Sequence, residues 1–293
     1  MYYKDYTNNL KEYDLKRQMW ENTGLEKSKN CIVDVADYCG ISESQLIEIF
    51  NSDDRYAIER YLLYRAELTL CYDCDKSKIV RDFFKIETRG TVTGYDSLFS
   101  FQYIWGKAVR AVVEVPELPS EDWKYFESKY GHNAIKKTAV FISQLKHLKL
   151  IKEKLREQDK ELPEEKQLLP ALEKLAQYYH TIGNLTPCCK GKYNLAKGDY
   201  RNGFYDRLDL FYKWLKNPIR ELNTLSGKVS ETEKNEMVKW FSEENIEKYK
   251  LSTIIDCQLP DSIPDHPAEM AVYSNDIIKT IRIRSDELLV HTA

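Results

Sequence analysis

IVDVADYCGISESQLIEIFN, residues 32–51, carries the clearest local signal in the chain, because apolar residues recur at helical spacing on both sides of Cys39-Gly40. Ala36 is small enough to let two helices approach. Gly40 tolerates the left-handed backbone of a tight turn, and Leu46 and Ile49 fall on one side of the second segment. The stretch predicts two short helices joined at Cys39-Gly40. A third follows from Tyr56 to Leu70, with Ile58, Leu62, Arg65 and Leu68 on one stripe. Upstream, residues 2–20 read as a polar helix with weak apolar spacing at Tyr6, Leu10, Tyr13 and Met19, broken around Asn22-Thr23-Gly24 and suited to act as a docking arm.

Downstream the pattern changes. Between Ile79 and Val115, β-branched and aromatic runs alternate with turn residues: Phe83 to Glu87, then Arg89-Gly90, then Thr91-Val92-Thr93, then Gly94. This predicts a small antiparallel sheet. The valines of Ala108–Val115 suit a strand, while Leu98–Val115 also fits a helix; Pro116 and Pro119 end either one. From Ser120 onward helical spacing returns. One helix starts at Ser120, and His132–Leu155 carries Ile135, Ala139, Ile142, Leu145, Leu148 and Leu155 near a 3.6-residue period. A charged connection covers Arg156–Glu165, Pro170 opens a helix that runs into His180, and Phe204–Leu215 forms another. Ser230-Glu231-Thr232-Glu233 is a capping box that begins a further helix bearing Met237, Trp240 and Phe241. Residues 258–269, with Pro260, Pro264 and Pro267, read as loop. Ile281-Arg282-Ile283-Arg284 alternates apolar and basic, which predicts a late edge strand over Ile277–Arg284. The expected fold is α+β and helix-dominated, in three regions: an acidic helical region 1–78 that is helix-turn-helix-like, a small β region 79–119, and a mainly helical region 120–293.

The chain has 293 residues, 42% hydrophobic and 31% charged, enough for a packed core with a polar exterior. No stretch approaches the ~20 apolar residues of a bilayer span, and Met1 to Tyr6 lacks the apolar core of a signal peptide. A cytoplasmic protein without a membrane partner is expected. Seven cysteines at 31, 39, 71, 74, 188, 189 and 257 are an odd set without scaffold spacing, so no disulfide is expected. The net charge of −3 is unevenly spread: residues 1–75 hold nine basic against fifteen acidic residues. A nucleic-acid binder concentrates basic residues where it meets phosphate, and this region does the opposite. Twenty-one tyrosines suit recognition surfaces, where a large ring with a wet hydroxyl is useful.

Val35-Ala36-Asp37-Tyr38-Cys39-Gly40-Ile41-Ser42, with Leu46, Ile49-Phe50 and Tyr61-Leu62 to Arg65, resembles the first helix-turn-helix of AraC-type regulators. The resemblance covers about a tenth of the chain and implies a trihelical unit. Its recognition helix would offer Ser42, Glu43, Ser44, Gln45 and Glu48, acceptors and negative charge without lysine or arginine, and the family's second helix-turn-helix has no counterpart here. Ser44 and Gln45 are the base-reading candidates.

His180-Thr181-Ile182-Gly183-Asn184-Leu185-Thr186, followed by Tyr193-Asn194, resembles the Ile-Gly-Asn-Leu segment of the carboxy-terminal HNH-like nuclease domain of modification-dependent restriction enzymes. The resemblance implies a divalent metal that activates water and assigns catalytic candidacy to His180, Asn184 and Asn194. The family's upstream acid-histidine element is missing: Gly131 precedes His132 and Lys146 precedes His147. On the residues alone, Gly183 turns the chain and Asn184 bonds backbone. The tract through Phe204-Tyr205-Asp206-Arg207 also resembles bacterial and phage families that carry no agreed function.

Cys71-Tyr72-Asp73-Cys74 has metal-ligand spacing and Cys188-Cys189 does not, so buried free thiols are expected and no metal site is assigned. Lys136, Lys137, Lys146, Lys149, Lys152, Lys154 and Arg156 make a basic stripe, interrupted by Glu153, Glu157 and Asp159. Of these, Lys136, Lys137, Lys149 and Lys152 are the phosphate-holding candidates beside Ser44 and Gln45. No glycine-rich phosphate loop, Gly-x-Ser-x-Gly elbow or His-Glu-x-x-His element occurs. The expectation is a non-catalytic binding or regulatory protein with a protein partner or a homo-oligomer and no cofactor. The alternatives are a nuclease with a divalent metal and a DNA-binding regulator acting through residues 32–51.

Overall fold

A computed structural model describes residues 34–51, 55–66, 83–84, 92–97, 99–115, 117–130, 132–179, 181–189, 207–216 and 231–290. The polar segment 2–20, Cys71, Cys74, His180 and Asn194 lie outside them. The described residues are helix-dominated.

The opening motif forms as its residues require. Helix α1 covers 34–38 and α2 covers Glu43–Asn51, with the turn between them at Cys39-Gly40. Gly40 has φ 72°, Ile41 N donates to Ala36 O at 2.8 Å, and Gly40 N donates to Asp37 O at 2.9 Å. This is the glycine-terminated helix end in which two otherwise orphaned carbonyls are satisfied. Ser42 then caps α2: Gln45 N donates to Ser42 Oγ at 3.3 Å, and Ser42 N donates to Gln45 Oε1 at 2.9 Å, a reciprocal capping box. Helix α3, Ala57–Arg65, follows with Ile58 and Leu62 buried.

The expected β region differs in its partners. Strand β1, Val92–Ser97, pairs antiparallel with β2, Leu185–Cys189, running from Ser97 opposite Leu185 to Val92 opposite Cys189, with an irregularity between Val92 and Gly94. No second strand near β1 in sequence completes a hairpin among the described residues. Ala108–Val115 is not a strand: α4 spans Phe101–Val112. Phe101, Ile104, Trp105, Ala108 and Val109 are buried at the i, i+3, i+4, i+7, i+8 spacing of one helical face, so burial overrides the β preference of the valines. The Trp105 ring is fully enclosed and its Nε1 donates to Gln144 Oε1 at 3.0 Å.

Four helices frame the middle: α5 Ser120–Tyr130, α6 His132–Lys146, α7 Leu148–Asp159 and α8 Leu168–Tyr178. The single helix expected from His132 to Leu155 is divided at His147. Asp159 closes α7 and caps α8, accepting from Leu168 N at 2.7 Å and Leu169 N at 2.8 Å through its two carboxylate oxygens. These are donors that a helix start leaves without intrahelical partners. Asp159→Ala is expected to lower stability by about 2 kcal/mol, read by urea denaturation, because both buried N–H groups lose their acceptor. A loss indistinguishable from zero would show that water replaces the cap.

After β2 come α9 Leu208–Lys216, α10 Glu231–Trp240, α11 Glu243–Lys248, α12 Ser252–Ile255 and α13 Pro267–Val290. Helix α10 starts at Glu231, within the stretch read as a helix start, while Ser230 of the expected capping box lies outside the described residues. The expected edge strand over Ile277–Arg284 is instead the middle of α13. A strand would place Ile281 and Ile283 on one face, whereas Ile281 is buried and Ile283 is 43% exposed. Ile277, Ile281, Arg284 and Leu288 share the inward face at helical spacing. Helix α13 packs along α8, α4, α12 and the 3-10 turns Glu164–Lys166 and Ile182–Asn184. The described parts of the chain from Val35 to Leu288 contribute to one contiguous apolar core. Among the described residues no helix is long and apolar enough to cross a membrane.

Candidate functional site

Of the segment 180–186, for which the sequence suggested a nuclease resemblance, residues 181–186 are described and run from the end of α8 into β2. Thr181 Oγ1 donates to Tyr178 O at 2.8 Å, and Asn184 N donates to Thr181 O at 2.9 Å, folding Ile182–Asn184 into a single 3-10 turn. Thr181, Ile182, Gly183, Asn184, Leu185 and Thr186 are all buried. A buried turn must satisfy its backbone from within the protein, and three side-chain devices do so.

Asn184 is the first. Phe99 N donates to its Oδ1 at 2.9 Å, and its Nδ2 donates to Phe99 O at 3.0 Å and Tyr179 O at 2.8 Å. The amide therefore mimics a strand partner for Phe99 and ties the entry of α4 to the exit of α8. With no exposed surface and both polar ends engaged, its role in the described structure is to hold backbone.

Arg284 is the second. Its guanidinium is fully enclosed, its hydrogen bonds go to backbone carbonyls, and the charge of Glu287 acts on it from one turn along the helix. Nη1 donates to Gly183 O and Leu185 O at 2.8 Å each and to Ile182 O at 3.1 Å. Nη2 donates to Tyr249 O at 2.7 Å, and Nε to Tyr249 O at 3.0 Å and Lys250 O at 3.1 Å. Lys250 has the positive φ of 49°, which turns the chain after α11 so that successive carbonyls face the guanidinium. Burial pushes the guanidinium pKa down to about 9, and the converging carbonyl dipoles favour the charge that neutral pH leaves on it.

Gly183 is the third. A Cβ there would stand 2.1 Å from Ser285 Oγ and 2.2 Å from Ile281 O, so only glycine lets the turn lie against the backbone of α13.

A second buried polar cluster sits near α9. Arg207 Nε and Nη2 donate to the two carboxylate oxygens of Asp209 at 2.8 and 2.7 Å, while Nη1 donates to Pro260 O at 2.7 Å and Tyr273 Oη at 2.9 Å. Burial works against the guanidinium charge, and the bidentate Asp209 outweighs it, so the pKa of Arg207 is raised. Burial pushes the Cys257 thiol up to about 11, with the Asp209 charge adding to the rise. Burial likewise lifts Cys39 to about 12, against the opposing charge of Lys146. Both thiols are expected to react with iodoacetamide at pH 7.5 at least about tenfold more slowly than a small free thiol, because only the thiolate attacks. Rapid alkylation of Cys39 or Cys257, located by peptide mass spectrometry, would contradict that environment.

The other sequence candidates are dispersed. Ser44 and Gln45 are exposed at the start of α2, where Gln45 serves the capping box. Lys136 and Lys137 lie on α6, and their side chains fall outside the described set. Lys149 is exposed on α7. Lys152 is only 12% exposed and bridges Glu59 at 2.8 Å and Glu173 at 3.2 Å, holding α3, α7 and α8 together. Lys146 covers the Tyr38 ring at 3.7 Å. Among the described residues no group of three or more His, Cys, Asp or Glu side chains could hold a metal ion.

Arg284 and the Arg207–Asp209 pair were not singled out from the sequence. For Arg284 a signal existed: read at helical rather than strand spacing, it falls on the same apolar stripe as Ile277, Ile281 and Leu288. No family model, curated protein or solved structure matches this chain.

Proposed function

We propose that this is a non-catalytic binding or regulatory protein of the cell interior, acting through protein–protein contacts. One observation carries the reading: the described side chains with the most distinctive chemistry are engaged with the protein's own backbone or with each other. Asn184 is bonded to Phe99 and Tyr179, Arg284 to five carbonyl groups, Arg207 to Asp209, and Lys152 to Glu59 and Glu173. Groups used in this way stabilise a shape. The shape then acts through its outer surface, where Tyr125, Val140, Leu150, Val238, Val272, Ile283 and Val290 are exposed.

The test is size-exclusion chromatography with light scattering, on the purified chain and after incubation with cell lysate. Self-association or a retained partner is the expected result. A strict monomer that retains nothing overturns the proposal. So does cleavage of plasmid, single-stranded DNA or RNA that depends on magnesium or manganese and is lost in His180→Ala. DNA binding that weakens with salt and with Gln45→Ala and Lys149→Glu would assign the surface to nucleic acid instead.

A further inference from the structure

Helix α13 is the longest described helix, and its exposed side chains, Glu269 and Arg282 among them, gather on one side. Val272, Asp276, Lys279, Ile283, Asp286 and Val290 are all exposed, and their alternating steps of four and three residues keep them on one side of the helix. Val272, Ile283 and Val290 are 41%, 43% and 77% exposed, so apolar groups stand in water along the same line. Among the described residues, Asp276, Lys279 and Asp286 take part in no ion pair. The opposite side of the helix is committed to the core, which leaves this line as the part of α13 free to meet another molecule.

We infer that this line docks against the same line of a second copy of the chain, antiparallel, with the two-fold axis passing at the level of Ile277 and Ile278. The inference rests on the protein-contact reading above and names its partner. The line is self-complementary at its centre. With the axis at that level, Val272 of one copy faces Ile283 of the other, Asp276 faces Lys279, and symmetry repeats both contacts. At the centre of the pair Val272 and Ile283 meet as apolar partners and Asp276 and Lys279 as opposite charges, while Val290 falls opposite Asp265, before the helix begins. The axis also falls near the middle of α13, so nearly the whole helix overlaps its mate.

Two alternative arrangements are worse. Sliding the pair by one heptad toward the carboxy end sets Asp276 against Asp286 and shortens the overlap. A parallel, in-register pair sets every charge against itself. In the favoured register Glu269 comes opposite Asp286 at each end. Arg282, one turn before Asp286, lies alongside and partly offsets that repulsion, so the ends are the weak part. The helix has 24 residues, about 36 Å at 1.5 Å per residue. One helix pair of that length lies at the small end of specific interfaces, so the dimer is a weak and concentration-dependent one.

Sedimentation velocity of the full chain between about 1 and 300 µM tests this. The wild type is expected to pass from monomer toward dimer across that range. Asp276→Lys and Lys279→Asp each place like charges at both reciprocal contacts and are expected to raise the dissociation constant at least about tenfold. An equimolar mixture of these two variants is expected to associate again, because contacts between the two variant chains are opposite in sign. Asp286→Lys is expected to tighten association by removing the repulsion from Glu269. All are surface changes, and an unchanged melting temperature verifies that each variant folds.

A wild type that stays monomeric throughout, a dimer indifferent to both charge reversals, or a variant mixture that fails to associate overturns the inference. A monomer that still captures a protein from lysate overturns this inference and leaves the protein-contact reading standing. A monomer that captures nothing overturns both.

Discussion

Arg284→Ala is expected to lower the stability of this protein by about 4 kcal/mol or more, a large part of the ~5–15 kcal/mol that holds a typical domain together. The reason lies in what the guanidinium leaves behind. The carbonyls of Ile182, Gly183, Leu185, Tyr249 and Lys250 converge on it, and alanine returns none of their hydrogen bonds. Each buried acceptor without a donor costs on the order of 1–3 kcal/mol, with some recovery if water enters the vacated space. Arg284→Lys should fall between the two. An ammonium keeps the charge but has three donors at one point, and cannot reach carbonyls spread around a planar fork. Arg282→Ala is the control: two residues away on the exposed side of α13, it should stay within about 0.5 kcal/mol of wild type. Urea denaturation followed by tryptophan fluorescence reads all three. An Arg284→Ala protein that melts within about 3 °C of the wild type would show that the turn and the 249–250 carbonyls do not depend on this side chain.

Gly183→Ala carries the second large effect, expected at about 3 kcal/mol for the addition of one methyl group. The added Cβ meets Ile281 O at 2.2 Å and Ser285 Oγ at 2.1 Å, and the first of these is helix backbone that cannot rotate away. The turn has to lift from α13. Lifting it lengthens the bonds from Arg284 to Ile182, Gly183 and Leu185, so the two variants act on one unit. The double variant should lose less than the sum of the singles, as expected for residues in one network. Strict additivity in that cycle would mean that the clash is absorbed by α13 rather than by the turn.

These two residues show how the Ile182–Asn184 turn works in this fold. Gly183 and Asn184 stand out in sequence because their side-chain chemistry is unusual for a buried turn. Conformational necessity and backbone satisfaction account for both: one permits contact with a helix and the other replaces strand hydrogen bonds for Phe99. The reading of Gly183 as a turn and Asn184 as a backbone ligand was available from residue type alone. Their partners were not, because Phe99 and Ile281 are distant in sequence and no local pattern points to them.

What the sequence determined by itself was local. Periodicity located the helices around Leu46, Leu62, Leu172, Phe211 and Met237, and glycine chemistry located the turn at Gly40, whereas the stretch around Ile104 fits strand and helix alike on its residues alone. Such signals are legible because each depends on residues within a few positions, where 3.6-residue spacing and left-handed backbone have direct side-chain requirements. Tertiary structure alone decided the rest. Alternation at Ile281-Arg282-Ile283-Arg284 reads as a strand until packing against α8 and the Ile182 turn makes a helix that buries Arg284, since an arginine enters a core only where distant carbonyls surround it. The strand at Val92–Ser97 likewise pairs with Leu185–Cys189, far along the chain, because pairing is a contest among all segments of the chain and not a property of either one.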